Sequence, residues 1–189
     1  MVREDLILEE DLLFPHRQSS ARDRLLGILK NRTIYASPMP FLPTECRAVC
    51  FSECIWDGLT GLAAKYSPYG VVFSKRLIFD SGGGPALYLR GDALLATGDQ
   101  IPPLLHPFIA PFDPEAVLKP GVRLDWLHER EWRVPASLSF GYADIQYVLV
   151  ESIDDARSVV HEIGAQFLPE SKLIPIDVSR TIQSAWKDR

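Results

Sequence analysis

The chain has 189 residues, 47% of them hydrophobic and 24% charged, with a formal net charge of −5. That length predicts one domain, and that composition excludes wholesale disorder. The acidic balance argues against a broad electrostatic footprint for duplex nucleic acid, leaving room only for a local groove. No run of 18 or more apolar residues is present to span a membrane. The opening Met1-Val2-Arg3-Glu4-Asp5 is acidic and lacks the apolar core of a signal peptide, so a cytoplasmic location is expected.

Fifteen prolines and twelve glycines cut the chain into short elements. Leu6 to Phe14 mixes apolar and acidic residues and runs into Pro15. Ser19-Ser20-Ala21-Arg22-Asp23 reads as a helix start, followed by an apolar stripe at Leu25, Leu26, Ile28 and Leu29. Thr33 to Ser37 and Ala48 to Ser52 read as strands, separated by a loop that Pro38, Pro40 and Pro43 impose. Trp56 to Tyr66 reads as a helix stopped before Pro68, and Gly70 to Ser74 as a strand. Ser81-Gly82-Gly83-Gly84-Pro85 is a loop leading into the strand Ala86 to Leu89. Residues 98–121 are apolar and proline-rich without a clear period; so long a connection is either functional or hides a helix. Trp132 to Pro135 and the β-branched run Ile145 to Val150 read as strands. Ile153 to Phe167 reads as a helix with Asp154 and Asp155 in its first turn, where acids suit the dipole. Leu173 to Asp177 closes the sheet, before a short helical tail. Many short strands with few helices predict an α+β fold.

Cys46, Cys50 and Cys54 have a C-x3-C-x3-C spacing, and their odd number argues against a disulfide framework. In a strand, positions four apart lie about 13 Å from each other, so they read as small buried hydrophobes and no metal site is expected. Trp56, Tyr66 and Tyr69 read most simply as core. The glycine loop lacks the P-loop Lys-Ser/Thr, does not match G-x-G-x-x-G and precedes a strand, so it reads as a tight turn. Pro15-His16-Arg17 and Phe51-Ser52-Glu53 are polar punctuation at element ends. The densest polar cluster is His128-Glu129-Arg130-Glu131-Trp132-Arg133. If extended, it places Glu129 and Glu131 on one face, where like charges need a compensating cation. Its plainest reading is a solvated edge strand of alternating charge.

The order of these segments carries a resemblance that runs from about residue 12 to about 177. Leu26 to Ser37 resembles the helix and short strand ending Ala-Ser that open bacterial ADP-ribosyltransferase-like domains. Val49-Cys50-Phe51-Ser52-Glu53 is similar to their second motif. Tyr66 to Lys75 and Gly83 to Tyr88 resemble segments of abortive-infection proteins of the AbiGi type. Glu129-Arg130-Glu131-Trp132-Arg133 matches the Glu-x-Glu-Trp-Arg signature of those proteins.

The resemblance implies a split, strongly bent mixed β-sheet with flanking helices and with NAD as substrate in a cleft. It implies that His16 or Arg17 holds NAD phosphate or ribose and that Ser52 shapes the nicotinamide pocket, with Tyr69 alongside. Glu131 would bind the nicotinamide ribose hydroxyl, and Glu129 would orient the acceptor. Where such enzymes carry Ser-Thr-Ser, this chain has Phe-Ser-Glu, so Glu53 adds a negative charge. Such a site would break the nicotinamide–ribose bond through an oxocarbenium-like state, which a carboxylate stabilises as charge develops on the sugar. Arg17 suits bidentate pyrophosphate binding, and Arg133 is available to pair with a glutamate as scaffold.

Three readings therefore stand. The chain is an NAD-consuming ADP-ribosyltransferase of a phage-defence or toxin–antitoxin system, acting on a protein, DNA, RNA or water acceptor. Alternatively it is a catalytically inactive relative that binds a cognate partner as an antitoxin. The third reading is a nuclease or nucleic-acid binder using Glu129 and Glu131 as ligands for Mg²⁺.

Overall fold

The computed structural model describes residues 20–39, 46–53, 59, 62–63, 66–119, 122–124 and 127–176. In chain order the elements are α1 (Ala21–Asn31), β1 (Thr33–Ile34), β2 (Ser37–Pro38), β3 (Arg47–Ser52), β4 (Gly70–Phe73) and α2 (Lys75–Asp80). They continue with β5 (Gly84–Pro85), β6 (Leu87–Arg90), α3 (Gly91–Thr97), β7 (Ile109–Lys119), β8 (Val122–Leu124) and β9 (Glu131–Pro135). The last are β10 (Leu138–Ser139), β11 (Ile145–Val150), α4 (Ile153–Ile163) and β12 (Leu173–Pro175). The fold is mixed α+β with several small sheets, as the punctuation of the sequence predicts. No helix among the described residues is long and apolar enough to cross a membrane.

The chain divides into two compact units, each drawn from separated stretches. One comprises Met1–Thr33, Ile55–Ser74 and Ser139–Arg189; the other comprises Ile34–Cys54 and Lys75–Leu138.

In the first unit, β11 is the middle strand, parallel to β12 and antiparallel to β4. Val148, Leu149 and Val150 are buried in succession, the continuous apolar run of a strand covered on both faces. Helix α1 starts at Ser20, whose hydroxyl accepts from the Asp23 backbone N–H while the Asp23 carboxylate returns to the Ser20 N–H. That reciprocal cap is the reason the helix begins where the serines predict. Helix α4 is capped by the Ser152 hydroxyl, which accepts from the Asp155 N–H, and stops at Ile163, because Gly164 takes φ +98° and leaves the helical region. The apolar pattern alone carries this helix on to Phe167; the glycine overrides it. Arg22 of α1 bonds Asp155 (2.7 Å), Ser158 (2.8 Å) and Glu162 (3.0 Å) of α4, and Lys30 reaches Glu162 at 3.1 Å. Leu59, Ala63, Leu149 and Ile176 form a small core cluster. The predicted segment Leu6 to Phe14, most of the predicted helix Trp56 to Tyr66 and the C-terminal tail lie outside the described residues.

In the second unit, one sheet has the order β2-β3-β9-β5. Five residue pairs align β3 antiparallel to β9, from Ala48 opposite Pro135 to Ser52 opposite Glu131. On the other side of β9, Gly84 pairs with Arg133 and Pro85 with Trp132. The glycine loop before β5 is the tight turn its sequence predicts. A Cβ at Gly83 would lie 2.6 Å from the Ile78 carbonyl oxygen and 2.9 Å from Val134 Cγ2, so no side chain fits there.

The second sheet, β6-β7-β8, resolves the segment without a period. It holds two 3-10 turns, Gly98–Gln100 and Pro103–Phe108, and then the long strand β7, which sequence reasoning missed. Pro111 and Pro114 speak against a strand. The structure accommodates them because β7 pairs with β6 only over Ile109 to Phe112, and with β8 only from Asp113 onward. At any point only one side of β7 is committed to a ladder.

The cysteines depart from expectation. Cys46 is half-buried and Cys50 is exposed, while Cys54 lies outside the described residues. Burial along β3 is concentrated at Ala48 and Val49, and Cys50 sits past that covered stretch.

Candidate functional site

The antiparallel register of β3 and β9 brings Ser52, at the end of one strand, opposite Glu131, at the start of the other. The chain reaches Glu131 through a 3-10 turn, Leu127–Glu129, and then Arg130 at φ +46°. This corrects the expectation that residues 128 to 131 run extended. The Glu53 N–H donates to the carbonyls of Glu129 (3.1 Å) and Arg130 (3.3 Å), and the Ala86 N–H donates to that of Glu131 (2.8 Å). Those three carbonyls are thus satisfied, which holds a left-handed arginine in place despite its strain.

The carboxylates that result are not those of a solvated edge strand. β9 lies between β3 and β5, and Glu129 and Arg133 are 6% and 2% exposed. The Ser52 hydroxyl donates to Glu129 Oε2 at 3.3 Å. Glu131 takes a two-pronged bond from Arg133, Nε to Oε1 at 3.0 Å and Nη2 to Oε2 at 2.9 Å. The Tyr88 hydroxyl of β6 lies 3.5 Å from the same Oε2. Arg133 Nη1 donates to the carbonyls of Ile109 (2.6 Å) and Pro107 (3.3 Å). Burial works against the Arg133 charge, but its bonds to Glu131 outweigh that and hold the guanidinium above its ordinary value. Burial, reinforced by the negative charge of Glu131, pushes the Tyr88 phenol up.

Glu53, the residue that looked unfavourable for an anionic substrate, is neutralised. Lys75 Nζ sits 2.6 Å and Arg130 Nη2 2.7 Å from its Oε1, and the Trp132 indole N–H donates to Oε2 at 3.3 Å. Lys75 also stands 5.7 Å from the centre of the Trp132 ring. The hydrogen bond from Lys75 holds the Glu53 carboxyl below its ordinary range, opposed by desolvation and aided by Trp132 and Arg130. Among the described residues the cluster sets three carboxylates (Glu53, Glu129, Glu131) beside three cations (Lys75, Arg130, Arg133), so their formal charges balance.

Beside the carboxylates lies an apolar groove of about 590 Å³. Tyr88 lines it together with Leu87, Leu89, Ile101, Leu105 and Ile109. One tyrosine therefore touches both the groove and Glu131. The groove is widely open to solvent rather than enclosed.

Of the residues the sequence singles out, Ser52, Glu129 and Glu131 come together here. Tyr69 belongs to the other unit, where it is buried and its hydroxyl donates to Glu151 at 3.3 Å. His16 and Arg17 lie outside the described residues. Arg133 pairs with a glutamate, as its position allows. Tyr88, Lys75 and the groove were not singled out; an aromatic inside an apolar strand carries no signal that separates it from core. Among the described residues no group of three or more His, Cys, Asp or Glu is placed to hold a metal ion. Glu129 and Glu131 thus gain no third acidic partner as a Mg²⁺ site there. No protein-family model, curated protein or solved structure matches this chain.

Proposed function

We propose that this chain binds NAD at the carboxylate end of β9 and cleaves its nicotinamide–ribose bond, as an ADP-ribosyltransferase-like protein of a phage-defence or toxin–antitoxin system. The observation that carries the reading is the Ser52–Glu131 register, which joins two motifs far apart in sequence at one point beside an apolar groove. On this reading the Glu131 carboxylate accepts a ribose hydroxyl. Arg133 takes two of its acceptor sites and the Tyr88 hydroxyl a long third, and a carboxylate has about four. As the C1′–N bond lengthens, positive charge gathers on the ribose and that interaction strengthens, which is the condition for lowering the barrier. Nicotinamide leaves with the bonding pair. The acceptor bonds to C1′ and gives up its proton to Glu129 or to solvent. The local balance of three carboxylates by three cations among the described residues supports entry of a dinucleotide whose pyrophosphate is dianionic. His16 or Arg17 would hold the pyrophosphate, with the sheet split as in ADP-ribosyltransferases.

A second reading is a non-catalytic relative that binds a cognate partner. It is favoured by Leu95 and Leu104, 91% and 82% exposed in the same unit as the groove, because large apolar side chains held in water mark contact surfaces. Calorimetric titration with NAD separates the two. The proposal requires saturable binding that Ser52→Ala weakens, and a partner-binding protein gives no heat.

A further inference from the structure

The ion pair inside the site is asymmetric. The Arg133 side chain is 2% exposed and sealed in, whereas Glu131 keeps 11% of its surface. A pair serving stability alone gains little from such an arrangement, since apolar residues of similar volume often replace a buried ion pair without loss. Here the guanidinium is anchored from behind by the carbonyls of Pro107 and Ile109, and its fork presents both oxygens of Glu131 in one fixed plane. Ile109 and Tyr88, which lies 3.5 Å from that carboxylate, both line the groove. The same guanidinium thus joins the groove wall to the carboxylate.

We propose that Arg133 is a positioning residue: it locks the Glu131 carboxylate in a single orientation and couples that orientation to whatever fills the groove. The inference rests on the NAD-cleaving reading. Lysine cannot reproduce it, because an ammonium is a point charge without a planar fork. A carboxylate free to rotate no longer meets the ribose at the required distance, and a misplacement of about 1 Å costs on the order of a hundredfold in rate.

The test compares wild type, Arg133→Lys and Arg133→Met in nicotinamide release from NAD, with circular dichroism as the check on folding. Arg133→Lys is expected to stay folded, to lose about 10- to 100-fold in kcat and to hold KM within about twofold. A folded Arg133→Lys with unchanged kcat overturns the inference and leaves the NAD reading standing. A loss of kcat that tracks a raised KM and a lowered melting temperature assigns Arg133 to scaffold alone. A wild type that neither binds nor cleaves NAD overturns the reading, and the inference with it. Should both variants unfold, the ¹⁵N-labelled wild type decides. The Arg133 Nε–H resonance shifts on saturation with NAD if Glu131 takes up a ribose hydroxyl, and a resonance that stays in place overturns the proposal.

Discussion

Replacing Glu131 by glutamine removes a charge without removing volume, and the structure says where the cost falls. Arg133 is 2% exposed and directs two of its N–H groups at Glu131. With the carboxylate gone, the cation stays buried, and among the described residues the carbonyls of Pro107 and Ile109 still accept from it. Breaking a buried pair from one side costs about 3–5 kcal/mol. Glutamine keeps one carbonyl acceptor and Glu131 is partly open, so the expected loss is about 3 kcal/mol, a large share of a typical folding free energy of about 5–15 kcal/mol. Urea unfolding followed by tryptophan fluorescence measures it. The double variant Glu131→Gln/Arg133→Met should recover part of the loss, because the orphaned charge goes too, giving a coupling energy of about 2 kcal/mol. A single-variant loss under about 1 kcal/mol, or strict additivity in the cycle, would refute the claim that this pair is buried and mutually dependent. An inactive Glu131→Gln protein therefore speaks for catalysis only once its folding has been measured.

Other consequences are sharper on stability. Gly83→Ala forces a Cβ against the Ile78 carbonyl at 2.6 Å and should cost about 1–3 kcal/mol in denaturant unfolding; a neutral substitution would show that the turn is loose. Lys30, and after it Arg22, hold the Glu162 carboxyl below its ordinary 4.5. A depressed carboxyl stabilises above its unfolded value and loses that contribution as pH falls through the folded one. Melting temperature should therefore drop below about pH 4.5 in the wild type and drop less in Glu162→Gln; parallel curves would deny the link. Tyr69→Phe should cost about 1 kcal/mol through its bond to Glu151 and leave NAD affinity within about twofold; a tenfold loss of affinity would instead make Tyr69 a binding residue.

The elements that were legible in the sequence are those with local causes. Ser20 and Asp23 cap α1, the run Ile145 to Val150 is a strand of those bounds, and the glycines before Pro85 make a turn. What was illegible depends on pairing. Nothing local tells that Pro111 and Pro114 sit in a strand, because the condition that tolerates them is the staggered arrangement of β6 and β8 along β7. Alternating charge in residues 128 to 133 looks like a surface strand until β5 covers its second edge. The site shows the same divide. Ser52 stood out at a strand end and Glu129 and Glu131 in the densest polar cluster, and the register joins them. Tyr88 and the Pro107 and Ile109 carbonyls belong to the site only through the Arg133 fork and the course of β7, which no spacing in the sequence encodes.

The most direct test of the account follows nicotinamide release when purified wild-type protein is mixed with NAD, with a folded Glu131→Gln variant beside it. The account predicts release by the wild type and loss of that release in the variant. Folded wild-type protein that gives no release and no binding of NAD would contradict it, and would turn the Ser52–Glu131 cluster into the ion-paired floor of a partner-binding surface.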